Sequence, residues 1–313
     1  MRDENESWAQ ESLRDIALEG VRERRRARRW GIFFKLIVLG YLIAISIAAL
    51  RPVLSLGEGS ATSAHTAMIR IQGPIMADSP ASAERVIAGL ERAFAAPQAQ
   101  GILLDINSPG GSPVESSRIY QAIQRLRAAN PDKPVHAVAG DSMASGAYYI
   151  AAAADKIHVD GASVVGSIGV ITRSFNLSGA LERLGIERRI YSAGEQKAGL
   201  DPFTDADPAS VAQLETMLND IHEQFISAVQ QGRGERLNGE SQALFSGRIW
   251  SGRQAIDNGL ADALGTPRGV ARDVIGAAQT IDYTPQQQWL DRAIDRLGTS
   301  AVRAWIELSA TIH

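Results

Sequence analysis

GILLDINSPGGSPVESSRIYQAIQRLRAANPDKPVHAVAGDSMASGAYYIAAAADKI, residues 101–157, decides the fold. Two short apolar runs, GILLDIN and PVHAVAG, are each followed by a longer stretch, 113–129 and 144–154, with the spacing of a helix. Runs that are apolar at nearly every position predict strands buried on both faces, as in a parallel sheet covered by helices. The alternation continues outward. On the N-terminal side AMIRIQG predicts a strand and 80–95 a helix; on the C-terminal side KIHVD, VVGSIGVI and ERRIYSA predict strands. Residues 178–185 read as a helix, and 207–231 as a long one opening on Asp and Pro. Strand then helix, repeated, implies an α/β domain. No internal repeat of 20 to 50 residues is visible.

The whole chain has 313 residues, 45% hydrophobic and 21% charged, which is globular composition and excludes fibrous or wholly disordered classes. A net charge of −3 names no partner, and in particular no nucleic acid. The absence of cysteine removes disulfide scaffolds, Cys-ligated zinc, iron–sulfur clusters and thiol nucleophiles. Of the 32 basic residues 28 are Arg and only four are Lys: Lys35, Lys133, Lys156 and Lys197. Because guanidinium does not give up its proton in a protein, any deprotonatable amine has to be one of those four.

From Trp30 to Leu50 the run WGIFFKLIVLGYLIAISIAAL carries a single charge, Lys35, and approaches the ~20 residues that cross a hydrocarbon core. Arg22, Arg24, Arg25, Arg26, Arg28 and Arg29 precede it, opposed by Glu23 alone. The positive-inside rule therefore predicts a single-pass anchor with a cytoplasmic N-terminus and an extracytoplasmic body. A cleaved signal peptide and a buried core helix are the alternatives. The first is opposed by the long charged leader and the lack of a small-x-small site, the second by the Arg cluster and the Pro/Gly/Ser-rich strip that follows. The expected organisation is a basic cytoplasmic segment at 1–30, a transmembrane anchor at 31–50, a linker at 51–66, the α/β domain at 67–280 and an amphipathic helix at 281–313. On that last helix Leu290, Ile294, Leu297, Ala301, Trp305 and Leu308 fall on one face, for packing against a neighbour or for lying on a membrane surface.

Three segments carry residues fit for chemistry. DINSPGGSP, residues 105–113, lies between a predicted strand and a predicted helix, where Gly110 and Gly111 let a turn expose backbone N–H groups to an oxyanion. It matches neither phosphate-binding glycine pattern. AGDSMASGA sits at the next strand-to-helix junction and offers two serines. Gly140-Asp141-Ser142-Met143-Ala144 approximates the G-x-S-x-G elbow, and Ser145 opens the helix, while either serine could instead be an N-cap. An Asp and His following the serine are poorly supplied: of the five histidines, His65 and His136 precede both serines, His158 lies sixteen residues after Ser142, His222 falls in the long helix and His313 is the last residue. Third, YSAGEQKAGLDPF places Lys197 in a loop, as a solvated charge or as a base, and Ser167 in VVGSIGV reads either as a turn serine between two glycines or as a hydrogen-bond partner for that amine. A lysine acting as base has to be neutral, which burial in an apolar cleft favours.

In order, INSPGG, ASGAYYIAAAADKI, VGSIGVI, SAGxxK and SGRIWSGRQAIDNGLADALG, from about Ala67 to Gly265, resemble the signal peptide peptidase A (protease IV) family of membrane-anchored bacterial serine peptidases, in its short single-domain form. The resemblance implies Ser145 as nucleophile, Lys197 as general base, Ser167 as support for that lysine, and Gly110, Gly111 and Gly146 around the oxyanion hole. Ala147 departs from the pattern, which usually has a second glycine there. Also implied are the stacked β-β-α units of the crotonase/Clp-protease superfamily, no metal or cofactor, a homo-oligomeric ring with shared sites, and cleaved signal peptides and other small apolar peptides as substrates. The expected address is the bacterial cytoplasmic membrane with a periplasmic catalytic domain, in contact with lipid and not with nucleic acid. The rival classes are a catalytically silent scaffold of the same fold and an acyl-CoA-type crotonase enzyme.

Overall fold

A computed structural model describes residues 30–46, 63–194, 196–238 and 240–285. The chain divides into two units, Met1–Ala61 and Thr62–His313. In the first, residues 30–46 form helix α1, exposed along its length. Among the described residues no helix is long and apolar enough to cross a membrane. The expected basic segment before residue 30, the end of the expected anchor at 47–50, most of the 51–66 linker and the amphipathic face at 290–308 lie outside the described residues.

The second unit is built on one eight-stranded sheet. Its first strand, β1 (His65–Gln72), leads to α2 (Ala83–Ala95), β2 (Ala99–Ser108), α3 (Pro113–Ala129), β3 (Val135–Ala144), α4 (Gly146–Ala151), β4 (Lys156–Val159) and β5 (Val164–Gly166). Then come α5 (Ser178–Arg183), α6 (Pro208–Arg233), α7 (Ser241–Leu244), β6 (Ile249–Ser251), α8 (Gly252–Asp257), β7 (Ala263–Leu264) and β8 (Thr280–Asp282). The strand order is β6-β5-β3-β2-β1-β8, with β4 pairing β3 and β7. All pairs are parallel except β5 with β6, so the expected α/β sheet is present and is mixed at one edge. The sheet runs from His65 to Asp282, two residues beyond the expected 67–280 at each end.

β3 forks. His136–Val138 pair with Lys156–His158 of β4, and Ser142–Ala144 pair with Val164–Gly166 of β5. Ile69, Ile71, Ile102, Leu104 and Ile106 of β1 and β2 are buried against α2 and α3, which contribute Val86, Leu90, Ile119 and Ile123. α4 is almost wholly buried, and Tyr148 fixes it by donating its hydroxyl to the Leu260 carbonyl at 2.8 Å. At the far end of α6 the buried Arg233 donates to Asp262 Oδ2 at 2.7 Å and to the Gly259 carbonyl at 2.9 Å. Burial pushes the Asp262 carboxyl up, but the Arg233 hydrogen bond and the Ile157 N–H outweigh it and hold the group below the ordinary carboxylate value.

Two strand expectations are corrected. VVGSIGVI yields only Val164–Gly166, because the backbone turns to positive φ at Gly166 (99°) and Ser167 (53°) and leaves the ladder after Gly166, which still pairs with Ala144 and Ile249. ERRIYSA forms no strand: it pairs with nothing in the sheet and lies exposed, Tyr191 at 91%.

Candidate active site

The carboxyl end of the interior strand β3 carries the site. β3 stays paired through Ala144, and the chain then turns at Ser145 (φ 53°, ψ −124°) directly into α4. The Ser145 N–H is used, donating to the Gly166 carbonyl at 2.8 Å. Its side chain makes no capping hydrogen bond, so Oγ is free to face the cavity that it lines. Among the described residues, Ser145 and Ser167 are the two non-glycine positions with positive φ. Such strain persists only where surrounding structure enforces it, and it clusters at functional sites.

That cavity encloses about 490 Å³ and is lined by Ser145, Ser167, Gly111 and Gly146 together. Tyr149, Ile221, Phe225, Val170 and Ile171 form an apolar wall, and Arg173 supplies the one charged lining side chain. The Tyr149 and Phe225 rings lie 4.8 Å apart, with Tyr120 edge-on to Tyr149 at 5.3 Å.

Backbone amides in the glycine loop divide their labour. Gly110 N–H donates to Ser108 Oγ at 3.1 Å, and its carbonyl accepts from Ile75 N–H at 3.0 Å. The Gly110 amide is therefore hydrogen-bonded within the loop. Its part is steric: at φ 95° a Cβ would lie 2.7 Å from both Gly146 N and Ser145 Cβ. Gly111 and Gly146 N–H have no acceptor among the described residues. They are neighbours across the loop, since a Cβ on Gly146 would stand 3.3 Å from Gly111 N and 2.3 Å from Ser116 Oγ. Two adjacent unpaired N–H donors beside a free serine hydroxyl can hold the oxyanion of acyl transfer.

Ser142, the alternative nucleophile, remains inside β3, its N–H bonded to Asn107 Oδ1 at 3.1 Å, and does not line the cavity. Ala147 is fully buried in helical backbone, so the missing second glycine leaves α4 intact. Lys197 is not brought to the cavity of its own chain: it lies exposed in a turn, its N–H on the Gly194 carbonyl at 3.2 Å. The surrounding segment displays Phe175 at 79%, Leu184 at 71% and Ile171 at 70% exposure. Sequence reasoning missed Ser108, Ser116 and Tyr149, whose signal was their nearness to the SPGG and ASG motifs. It also missed Phe225, which only the packing of α6 places in the wall.

An α/β protein with a serine-centred site is the class that this fold and geometry define. Residues 127–279 match peptidase family S49, and the chain belongs to that family. A Na(+)/H(+) antiporter NhaA of Brucella abortus (strain 2308) is 38% identical over 237 residues, covering 74% of this chain and 32% of that protein. A putative signal peptide peptidase SppA of Enterococcus faecium is 34% identical over 166 residues, 53% of this chain and 47% of that one. Putative protease slr0021 of Synechocystis is 34% identical over 165 residues, 53% of this chain and 58% of its own. The chain thus spans between 32% and 58% of the length of these relatives.

Proposed function

We propose that the chain is a membrane-anchored serine endopeptidase with a Ser145/Lys197 dyad, acting on cleaved signal peptides and other small apolar peptides at the outer face of the bacterial cytoplasmic membrane. The observation that carries the reading is the strained turn at Ser145, with its free hydroxyl and the two unpaired N–H groups of Gly111 and Gly146 in one cavity. The neutral Lys197 amine, hydrogen-bonded by Ser167, takes the Ser145 proton as Oγ attacks the peptide carbonyl, and the oxyanion rests on the two amides. The ammonium then protonates the departing amine, and the amine so regenerated activates water against the acyl ester. The apolar wall of Tyr149, Phe225 and Ile221 supports apolar substrates. The Arg cluster and the apolar run at 31–50 support the anchor and its orientation. The parallel strand order and the fork of β3 support the stacked crotonase/Clp-type architecture.

Lys197 lies outside the cavity lining of its own chain, which supports a site completed between copies, with Lys197 of one protomer serving Ser145 of its neighbour in a closed ring. A fluorophosphonate probe tests the central claim. It is expected to modify Ser145 in the wild-type chain and in Ser142→Ala, and to leave Ser145→Ala unmodified. Labelling at Ser142, or none on the assembled wild type, overturns the reading in favour of the elbow at Ser142 or of a silent scaffold.

A further inference from the structure

We infer that His222, on α6, is a positioning residue that holds Ser167 in place through the carbonyl of Ile168. The inference rests on the peptidase reading above, in which Ser167 orients the lysine amine. Ser167 sits at φ 53°, a conformation that residues with a side chain rarely hold unaided. Hydrogen bonds grip it from both sides. Its N–H donates to the Arg248 carbonyl at 2.7 Å, and the next carbonyl, that of Ile168, accepts from Gly247 N–H at 3.0 Å.

His222 Nε2 reaches the same Ile168 carbonyl at 3.2 Å from an element 54 residues further along the chain. A carbonyl has no proton to give, so Nε2 must carry the hydrogen. The Ile168 side chain is fully buried, so the peptide beyond Ser167 is pinned by packing below and by two donors at its oxygen. Ile221 and Phe225 of the same helix line the cavity, whereas His222 does not. α6 therefore supplies both a wall of the site and a clamp behind it, and the imidazole acts without touching substrate. Freed of the clamp, the Ile168 peptide can rotate and carry the Ser167 hydroxyl away from the amine.

The test replaces His222 in the full-length chain with Gln, Asn or Leu. A glutamine amide nitrogen falls where Nε2 was, and an asparagine one falls short at the place of Nδ1. His222→Leu and His222→Asn are expected to lose about tenfold in kcat with KM nearly unchanged, and His222→Gln to stay within about twofold of wild type, at equal melting temperatures. A wild-type rate in the Leu or Asn variant, or a Gln variant as slow as Leu, overturns the inference. Should a variant fail to fold, two-bond proton–nitrogen correlation of the wild-type imidazole decides: Nε2–H is expected, and the Nδ1–H tautomer overturns the clamp. Failure of the peptidase reading looks different, because the wild-type chain itself would then neither cleave peptide nor take the fluorophosphonate on Ser145.

Discussion

Ser145 and Ser167 each hold a backbone conformation that costs about 1–3 kcal/mol, and neither offsets it with a side-chain hydrogen bond among the described residues. Ser145→Ala and Lys197→Ala are expected to abolish peptide hydrolysis while leaving the melting temperature unchanged, as kinetics and thermal scans on the same preparations would show. Lys197→Arg should be equally inactive, because guanidinium cannot surrender a proton, and Ser167→Ala should retain part of the rate. Gly146 makes a sharper case. An Ala methyl there would stand 2.3 Å from Ser116 Oγ and shift the N–H proposed to hold the oxyanion, so Gly146→Ala should slow fluorophosphonate labelling about tenfold or more. Adding Ser116→Ala removes the obstructing oxygen and should restore part of that rate, a coupling that two independent sites would not show. The serine pair at 142 and 145 marks where local reading stopped: G-x-S-x-G counts residues and centres on Ser142. Whether the chain turns there depends on pairing with β5, which carries β3 on through Met143 and Ala144.

Helix α2 opens without help from its own N-cap residue, since Ser82 makes no side-chain hydrogen bond. Glu115 of α3 does the work from outside, its Oε2 accepting from the buried Ala83 N–H at 2.6 Å, while Ser112 caps α3 itself through Glu115 N at 3.3 Å. One residue thereby joins the starts of two helices, the second of which follows the glycine loop. Glu115→Ala leaves a buried N–H unpaired and is expected to cost about 1–3 kcal/mol, seen as a lower urea midpoint with an unchanged slope. Glu115→Gln keeps an oxygen in place and should cost less. Elements with strong local signals were legible, among them α6 behind its Asp207 cap and the apolar β2 and β3. ERRIYSA was misread because β-favouring side chains such as Ile190 and Tyr191 make a strand only when a neighbour offers its backbone, and among the described residues none does. His222 was set aside for lack of a triad, since its helix reveals its partner only once packed against the turn after Ser167.

Across the whole second unit, acid should find a weak point away from the site. His136 of β3 and His158 of β4 face each other with Nδ1 and Nε2 3.2 Å apart. Burial pushes both rings below their ordinary value, and for His136 the neighbouring His158 adds to it while Asp155 and Asp262 pull back. The unfolded chain therefore binds protons near pH ~6.5 that the folded chain refuses. Stability should be complete above that pH and decline as pH falls through the folded values, with His158→Gln flattening the slope in urea titrations from about pH 8 to about pH 5. At the scale of assembly, mixing Ser145→Ala and Lys197→Ala chains should restore some hydrolysis if copies share sites, since some interfaces then pair an intact serine with an intact lysine. Inactivity of a mixed ring shown to contain both variants would confine the dyad to one chain. The fork of β3 has a consequence for survival at high concentration. Two short strands divide its flank, and the outermost strands β6, β7 and β8 run only three, two and three residues. A foreign strand seeking to extend this sheet at β6, β7 or β8 finds only two or three residues of ladder to copy, so growth into aggregates is checked by the shortness of those strands.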